Sequence, residues 1–145
     1  MPIIIDNNRR SDFTDTPCNA AVTVLRRIAQ KRVRISVCRA LLQEFSCDQK
    51  FVALLAEWAR QGLLDRVDER LYEVEYDKVV KLGHRSDDEH ILALARACGT
   101  RLLYTEDGDL IADFKDRSII CPRGKVFQSS TRRDIVLSLI DRLGS

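Results

Sequence analysis

Carboxylates occur at four points of this sequence where the adjoining residues are otherwise apolar. Asp6 closes the run Pro2-Ile3-Ile4-Ile5, and Glu44 flanks the stripe Cys38, Leu41, Leu42 and Phe45. Asp87 and Asp88 lead into the segment that starts at Ile91, and Asp107 and Asp109 follow Leu102-Leu103-Tyr104. Each has an ordinary use when taken alone. Asp6 and Asn8 can open a polar loop, and Glu44 can occupy a solvated helix face. Asp87 and Asp88 can complement a helix dipole, while Asp107 and Asp109 can cap a helix or shape the turn at Gly108. Gathered at one place, the same residues do something different, because carboxylates a few ångströms apart raise one another's pKa values until a cation neutralises them. An all-oxygen donor set suits Mg²⁺ or Mn²⁺ better than zinc. A water polarised by such an ion can attack phosphorus.

Whether the acids can meet depends on the elements that carry them. Pro2 to Ile5 is continuously apolar and rich in β-branched residues, as in a strand buried on both faces. Asn7 to Pro17 reads as a polar loop, after which Ala20, Val24 and Ile28 recur at helical spacing up to the basic segment Lys31 to Arg34. Val33 to Ser36 is a second strand and Val37 to Ser46 a helix carrying Glu44. Gln49 to Arg60 is another helix, stopped at Gln61-Gly62, and Leu63 to Val67 is a short strand. Glu69 to Leu82 reads as a helix whose apolar positions are Leu71, Val74, Val79 and Leu82.

Ser86-Asp87-Asp88-Glu89 matches the S-x-x-E capping box with Ser86 as N-cap, and the helix behind it finishes at Gly99. Arg101 to Thr105 is a strand, Glu106 to Asp109 an acidic turn, and a short helix runs on to Phe114. Ser118 to Ile120 is a further strand and Arg132 to Leu143 a final amphipathic helix. Strands alternating with helices predict an α/β protein with a parallel sheet, because each parallel crossover needs a connection long enough to hold a helix. Ligands of such sheets lie beyond the carboxyl ends of the strands, where Asp6 and the Thr105-to-Asp109 turn stand.

With 145 residues, 45% of them apolar, the chain can bury one sizeable core and is expected to form a single domain over residues 1–145. Its 24 basic and 22 acidic side chains leave a net charge of +2, so charge alone does not announce a nucleic-acid binder. The five cysteines are scattered and form no CxxC pair, which argues against a disulfide framework or a cysteine zinc site and for reduced thiols in or near the interior of a cytoplasmic protein. No apolar run approaches the length of a membrane span, and the N-terminus lacks the apolar core of a signal peptide.

Four stretches resemble the PIN-domain family in order and in flanking structure. IIIDNN is similar to that family's apolar strand ending in D-x-N, and RISVCRALLQEF to its strand, serine and glutamate-bearing helix. DDEHILALARACGTRLLYTEDGDL resembles its aspartate-led helix, glycine, strand and [ST]-x-D-x-D turn, and IICPRGKVF its trailing segment. The resemblance implies a three-layer α/β/α fold and a metal-dependent endoribonuclease that hydrolyses phosphodiester bonds of RNA. Asp6, Glu44, Asp88 and Asp107 match the family's four acidic positions, and Asp109 matches an additional one. Metal ligation by Mg²⁺ or Mn²⁺ would then fall to Asp6, Asp88, Asp107 and Asp109, with Asp87 as a substitute for Asp88. Asn8 and Thr105 match polar residues that orient the carboxylates. Arg9-Arg10 departs from the apolar continuation usual after D-x-N.

RNA approaching such a centre needs cations outside it, for which Arg9, Arg10, Arg85, Arg123, Arg132 and Arg133 are the candidates. At 6% aromatic residues, base stacking along an extended strand is not expected. Many small PIN proteins are toxins of toxin–antitoxin pairs and form homodimers, so the resemblance also implies an antitoxin-like partner and self-association. Two other readings compete: a non-catalytic PIN-like module that binds RNA or protein, and an aspartyl-phosphate enzyme with Asp6 as nucleophile. The second is weakened by Asn8, which stands where a general-acid aspartate would be needed.

Overall fold

Ile3, Ile4 and Ile5 are wholly shielded from solvent, which demands a strand covered on both faces. The computed structural model, which describes residues 1–15 and 18–143, places this strand, β1 (Pro2–Ile5), at the centre of a five-stranded sheet. Along the chain follow α1 (Ser11–Thr14), α2 (Asn19–Ala29), β2 (Arg34–Val37), α3 (Arg39–Phe45), α4 (Gln49–Arg60), β3 (Leu64–Arg66) and α5 (Glu69–Lys81). Then come α6 (Glu89–Cys98), β4 (Leu102–Tyr104), α7 (Gly108–Phe114), β5 (Lys125–Phe127) and α8 (Arg133–Leu143). The strand order is β3-β2-β1-β4-β5 and every pairing is parallel. Ile3 lies opposite Ile35, Ile5 opposite Tyr104, and Leu103 opposite Val126. Helices flank the sheet, α2 packing on α8 and α5 on α6, so the α/β/α class expected from the alternation is the one observed.

Burial of the β1 isoleucines contributes about 1.5–3 kcal/mol apiece relative to exposure, and the aromatic residues around Phe13 extend the core. Phe13 meets Phe51, Trp58 and Tyr104 edge to face. That packing explains a departure from the expected loop after Asp6. Asn7–Arg9 is a turn of 3₁₀ helix and Ser11–Thr14 a turn of α-helix, both needed to bring Phe13 inward. Thr16 and Pro17, at the end of that expected loop, lie outside the described residues.

Three further expectations need correction. The fifth strand is Lys125–Phe127, not Ser118 to Ile120; Ile119 and Ile120 are buried in a turn instead, so their apolar character reports burial without pairing. Helix α6 begins at Glu89 with Asp88 at the N-cap, and Ser86 is used differently, its hydroxyl accepting the Asp88 N–H at 3.4 Å. Of the apolar stripe expected on helix α5, Val79 is buried and Leu82, just past its end, packs on the core, but Leu71 and Val74 are exposed and Tyr72 and Tyr76 take their place on the inward face. Gly99 does end α6 in the left-handed conformation, at φ 71°. All five cysteines are free, with Cys38 buried, Cys18 and Cys98 half-buried, and Cys47 and Cys121 exposed, so only three fit the expected interior placement. No helix among the described residues is long and apolar enough to cross a membrane.

Candidate metal centre

Strand order reverses between β1 and β4, with β2 and β3 on one side and β5 on the other. Crevices at such a reversal, beyond the carboxyl ends, are where open α/β sheets bind ligands. Asp6 and Thr105 occupy those two ends. The Asp6 N–H donates to the Tyr104 carbonyl at 3.0 Å, prolonging the ladder by one residue and fixing where the Asp6 side chain emerges. Its carboxylate, only 5% exposed, accepts the Thr105 hydroxyl at 2.6 Å and the backbone N–H of Asn7. Burial pushes the Asp6 pKa above the usual carboxylate range. The hydrogen bonds from Thr105 and Asn7 oppose that rise, and the charges of Glu44 and Asp107 add to it.

The Thr105 hydroxyl also accepts the Asp107 N–H at 3.1 Å, so one side chain ties two of the acids together. Asp107 caps α7, its Oδ1 accepting the N–H groups of Asp109 (2.9 Å) and Leu110 (3.2 Å). Asp109 lies on the exposed first turn of that helix. Asp88, at the start of α6, has its pKa pushed up to about 6, first by burial and then by Asp6, with Asp107 and Glu44 acting the same way and His90 opposing them. Its neighbour Asp87 is exposed. Glu44, delivered by α3, is held at 2.5 Å by His90 Nε2.

The loop that delivers Asp88 is itself anchored. Asp113, 3% exposed on α7, accepts the Arg85 N–H with both carboxylate oxygens (2.9 and 3.1 Å) and the Ser86 N–H at 2.8 Å. Helix α7 therefore carries Asp107 at one end and the anchor for the Asp88 loop at the other. Neither Asp113 nor His90 is among the residues singled out from sequence. His90 follows Asp88 by two positions and could have been suspected from that spacing, whereas the partner of Asp113 lies 28 residues away and no local pattern marks it.

Asn8 does not join the cluster: it is exposed, and the N–H that reaches Asp6 belongs to Asn7. The 3₁₀ turn directs position 8 outward. The flanking arginines are also differently employed. Arg9 pairs with Asp12 (3.4 Å) and Glu106 (3.3 Å), and Arg10 with Asp48 (3.2 Å) and Asn7, so both brace the loop after β1. Arg132 pairs with Asp134 at the surface, while Arg85, Arg123 and Arg133 are exposed. Arg39 and Arg66, which sequence reading passed over, stand beyond β2 and within β3 and line a cleft of about 340 Å³ with Leu42 and Val67.

The oxygen-only chemistry of Asp6, Glu44, Asp88 and Asp107 suits a hard divalent cation. Their present orientations do not yet form a cage: among the described residues no three His, Cys, Asp or Glu side chains could hold a metal ion as placed. Three of the four already accept hydrogen bonds from protein groups, Asp6 from Thr105 and Asn7, Glu44 from His90, and Asp107 from the first turn of α7.

No model of a known protein family matches the sequence, and no curated protein matches it. Solved structures do. The chain is similar to one from VapBC2 of Rickettsia felis, bound to a DNA fragment from their promoter, at 16% identity and TM-score 0.55, covering 88% of this chain and 98% of that one. It is also similar to one from FitAcB of Neisseria gonorrhoeae, at 18% identity and TM-score 0.54, covering 88% and 97%. At those identities the likeness is one of fold: this chain has the α/β architecture of those two proteins.

Proposed function

We propose that the chain is a metal-dependent endoribonuclease of the PIN kind, acting on RNA phosphodiesters through Asp6, Glu44, Asp88 and Asp107. What supports this reading is that Asp6, Glu44, Asp88 and Asp107, from four separate parts of the chain, lie near enough for their charges to act on one another, burial and mutual repulsion together raising Asp6 and Asp88. A fold that gathers such charge without need would lose stability by it. Asp6, Asp88 and Asp107, with Asp109 at the rim, would hold Mg²⁺ or Mn²⁺. When bound, the ion supplies a polarised water for attack on phosphorus and charge for the leaving oxygen. Thr105 keeps Asp6 aimed, Asp113 keeps the Asp88 loop in place, and His90 restrains Glu44 until substrate or metal competes for it.

A second reading, a PIN-like module that binds without cutting, is favoured by the engagement of Glu44 and Asp107 with protein partners. One experiment separates the two. Labelled single-stranded, hairpin and transfer RNAs are incubated with Mn²⁺ or Mg²⁺, beside EDTA controls and the Asp6→Asn and Asp107→Asn variants. Metal-dependent cleavage by the wild type, abolished in both variants while their circular dichroism is unchanged, is the expected result. Equal cutting by wild type and variants would remove these residues from the site; no cutting by pure, metal-loaded wild type would leave the binding module.

The same reading includes a toxin role, with an antitoxin-like protein partner. Tyr72, Tyr76, Ala40 and His90 line a cleft of about 330 Å³ together with Glu73, Asp77, Asp87 and Glu89. Aromatic rings and carboxylates in one cleft beside the Glu44–His90 pair suit a basic segment of such a partner. Exposed Leu71 and Val74 on the same helix offer a homodimer contact, and the free cysteines fit a cytoplasmic compartment.

A further inference from the structure

At the amino ends of the strands, opposite the acids, three arginines line one cleft. Arg101 directly precedes β4, Arg96 lies on α6, and Arg117 follows α7. With Glu75, Ile119 and Cys121 they line a cleft of about 190 Å³. Two of the guanidiniums are fixed in place. Arg96 donates to Glu75 at 2.8 Å and to the Ile119 carbonyl at 2.7 Å. Arg101 donates to the carbonyls of Ala95, Thr100 and Cys121 at 2.8–3.0 Å. The third, Arg117, is exposed and makes no hydrogen bond or ion pair among the described residues.

The charge in this cleft is poorly balanced. Glu75 is its one carboxylate, and it is already shared between Arg96 and Lys78. The partners of Arg101 are neutral carbonyls, and its Nε is out of contact with solvent and without an acceptor. Burial of Arg101 disfavours its charged form, with Cys121 opposing that and the proximity of Arg96 adding to it. A planar guanidinium held by backbone carbonyls is preorganised, so little side-chain entropy is lost when an oxyanion meets it. The cleft is smaller than the roughly 300 Å³ at which pockets begin to enclose drug-sized ligands.

We propose that this cleft, formed by Arg96, Arg101 and Arg117, binds a phosphate group, either as free phosphate or as the terminal phosphate of a nucleotide chain. The cleft lies at the far ends of the strands from Asp6 and Asp107, so occupancy does not depend on the nuclease reading. Arg117 supplies the free donors at the mouth, and Arg96 and Arg101 the fixed positive field behind it.

The test uses metal-free full-length protein. Inorganic phosphate is titrated while the arginine Nε–H resonances are followed by ¹H–¹⁵N NMR, with sodium chloride at matched ionic strength as control. Saturable shifts of Arg96 and Arg101 resonances are expected. Arg117→Glu should weaken the affinity by about tenfold or more, the loss of hydrogen bonds to a charged group, and Asp6→Asn should leave it unchanged. Short DNA oligonucleotides with and without a 5′-phosphate identify the source: preference for the phosphorylated one assigns a chain terminus, and indifference assigns free phosphate. Shifts equal to those with chloride, or an Arg117→Glu variant that binds as tightly as wild type, would overturn the proposal.

Discussion

At the scale of single residues, the acidic centre is a trade of stability for charge. Asp88 has a folded pKa of about 6 against an ordinary 3.8. A carboxyl whose pKa is raised on folding contributes its full stability below the unfolded value and loses it as pH rises through the folded value. Metal-free protein should therefore lose stability between about pH 4 and pH 6, and Asp6, raised in the same direction, adds to the loss. Asp88→Asn should be the more stable protein at pH 7 in EDTA and show a flatter profile, measured by thermal denaturation across that range; a wild-type profile matched by the variant would remove Asp88 from the cluster. Asp113 has the opposite character. Asp113→Ala strips the acceptor from two backbone N–H groups, at about 1–3 kcal/mol each, so urea denaturation should show a loss of about 2–6 kcal/mol. Asp6, Thr105 and Asp107 were legible in the sequence because each follows an apolar run that could only be a buried strand. Asn7, His90 and Asp113 were not, since a turn's phase and a contact across the chain leave no local pattern.

Among the elements, the parallel strands and most helices could be read from periodicity because burial on both faces of β1 and β4 leaves continuous apolar runs. The exceptions share a cause. β5 has three residues, one of them the exposed Lys125, too few to show alternation, while Ile119 and Ile120 imitate a strand because burial alone makes residues apolar. In α5 Tyr72 and Tyr76 share the inward face with Val79, so a count of aliphatic residues alone gives part of that face to Leu71 and Val74. The approach to β5 is also sterically set. A Cβ on buried Gly124 would lie 2.3 Å from a Phe114 ring carbon and 2.5 Å from the Phe114 carbonyl oxygen. Gly124→Ala should thus cost about 1–3 kcal/mol by overpacking. Chemical denaturation checks this, and an unchanged midpoint would mean that α7 and the β5 approach move apart freely.

At the scale of the whole molecule, a parallel sheet whose order reverses between β1 and β4 brings acids from distant parts of the chain under one another's influence, and in the proposed nuclease a divalent cation relieves the repulsion among them. The likeness to VapBC2 and FitAcB is one of fold and assigns no residue to this proposed metal site. Calorimetric titration of the purified, metal-stripped protein with Mn²⁺, beside Asp6→Asn and Asp107→Asn, decides whether these acids hold a cation. Saturable binding by the wild type, weakened about tenfold or more in each variant through loss of a charged ligand, is the predicted result. Binding of equal strength in all three proteins, or none in any, would contradict it.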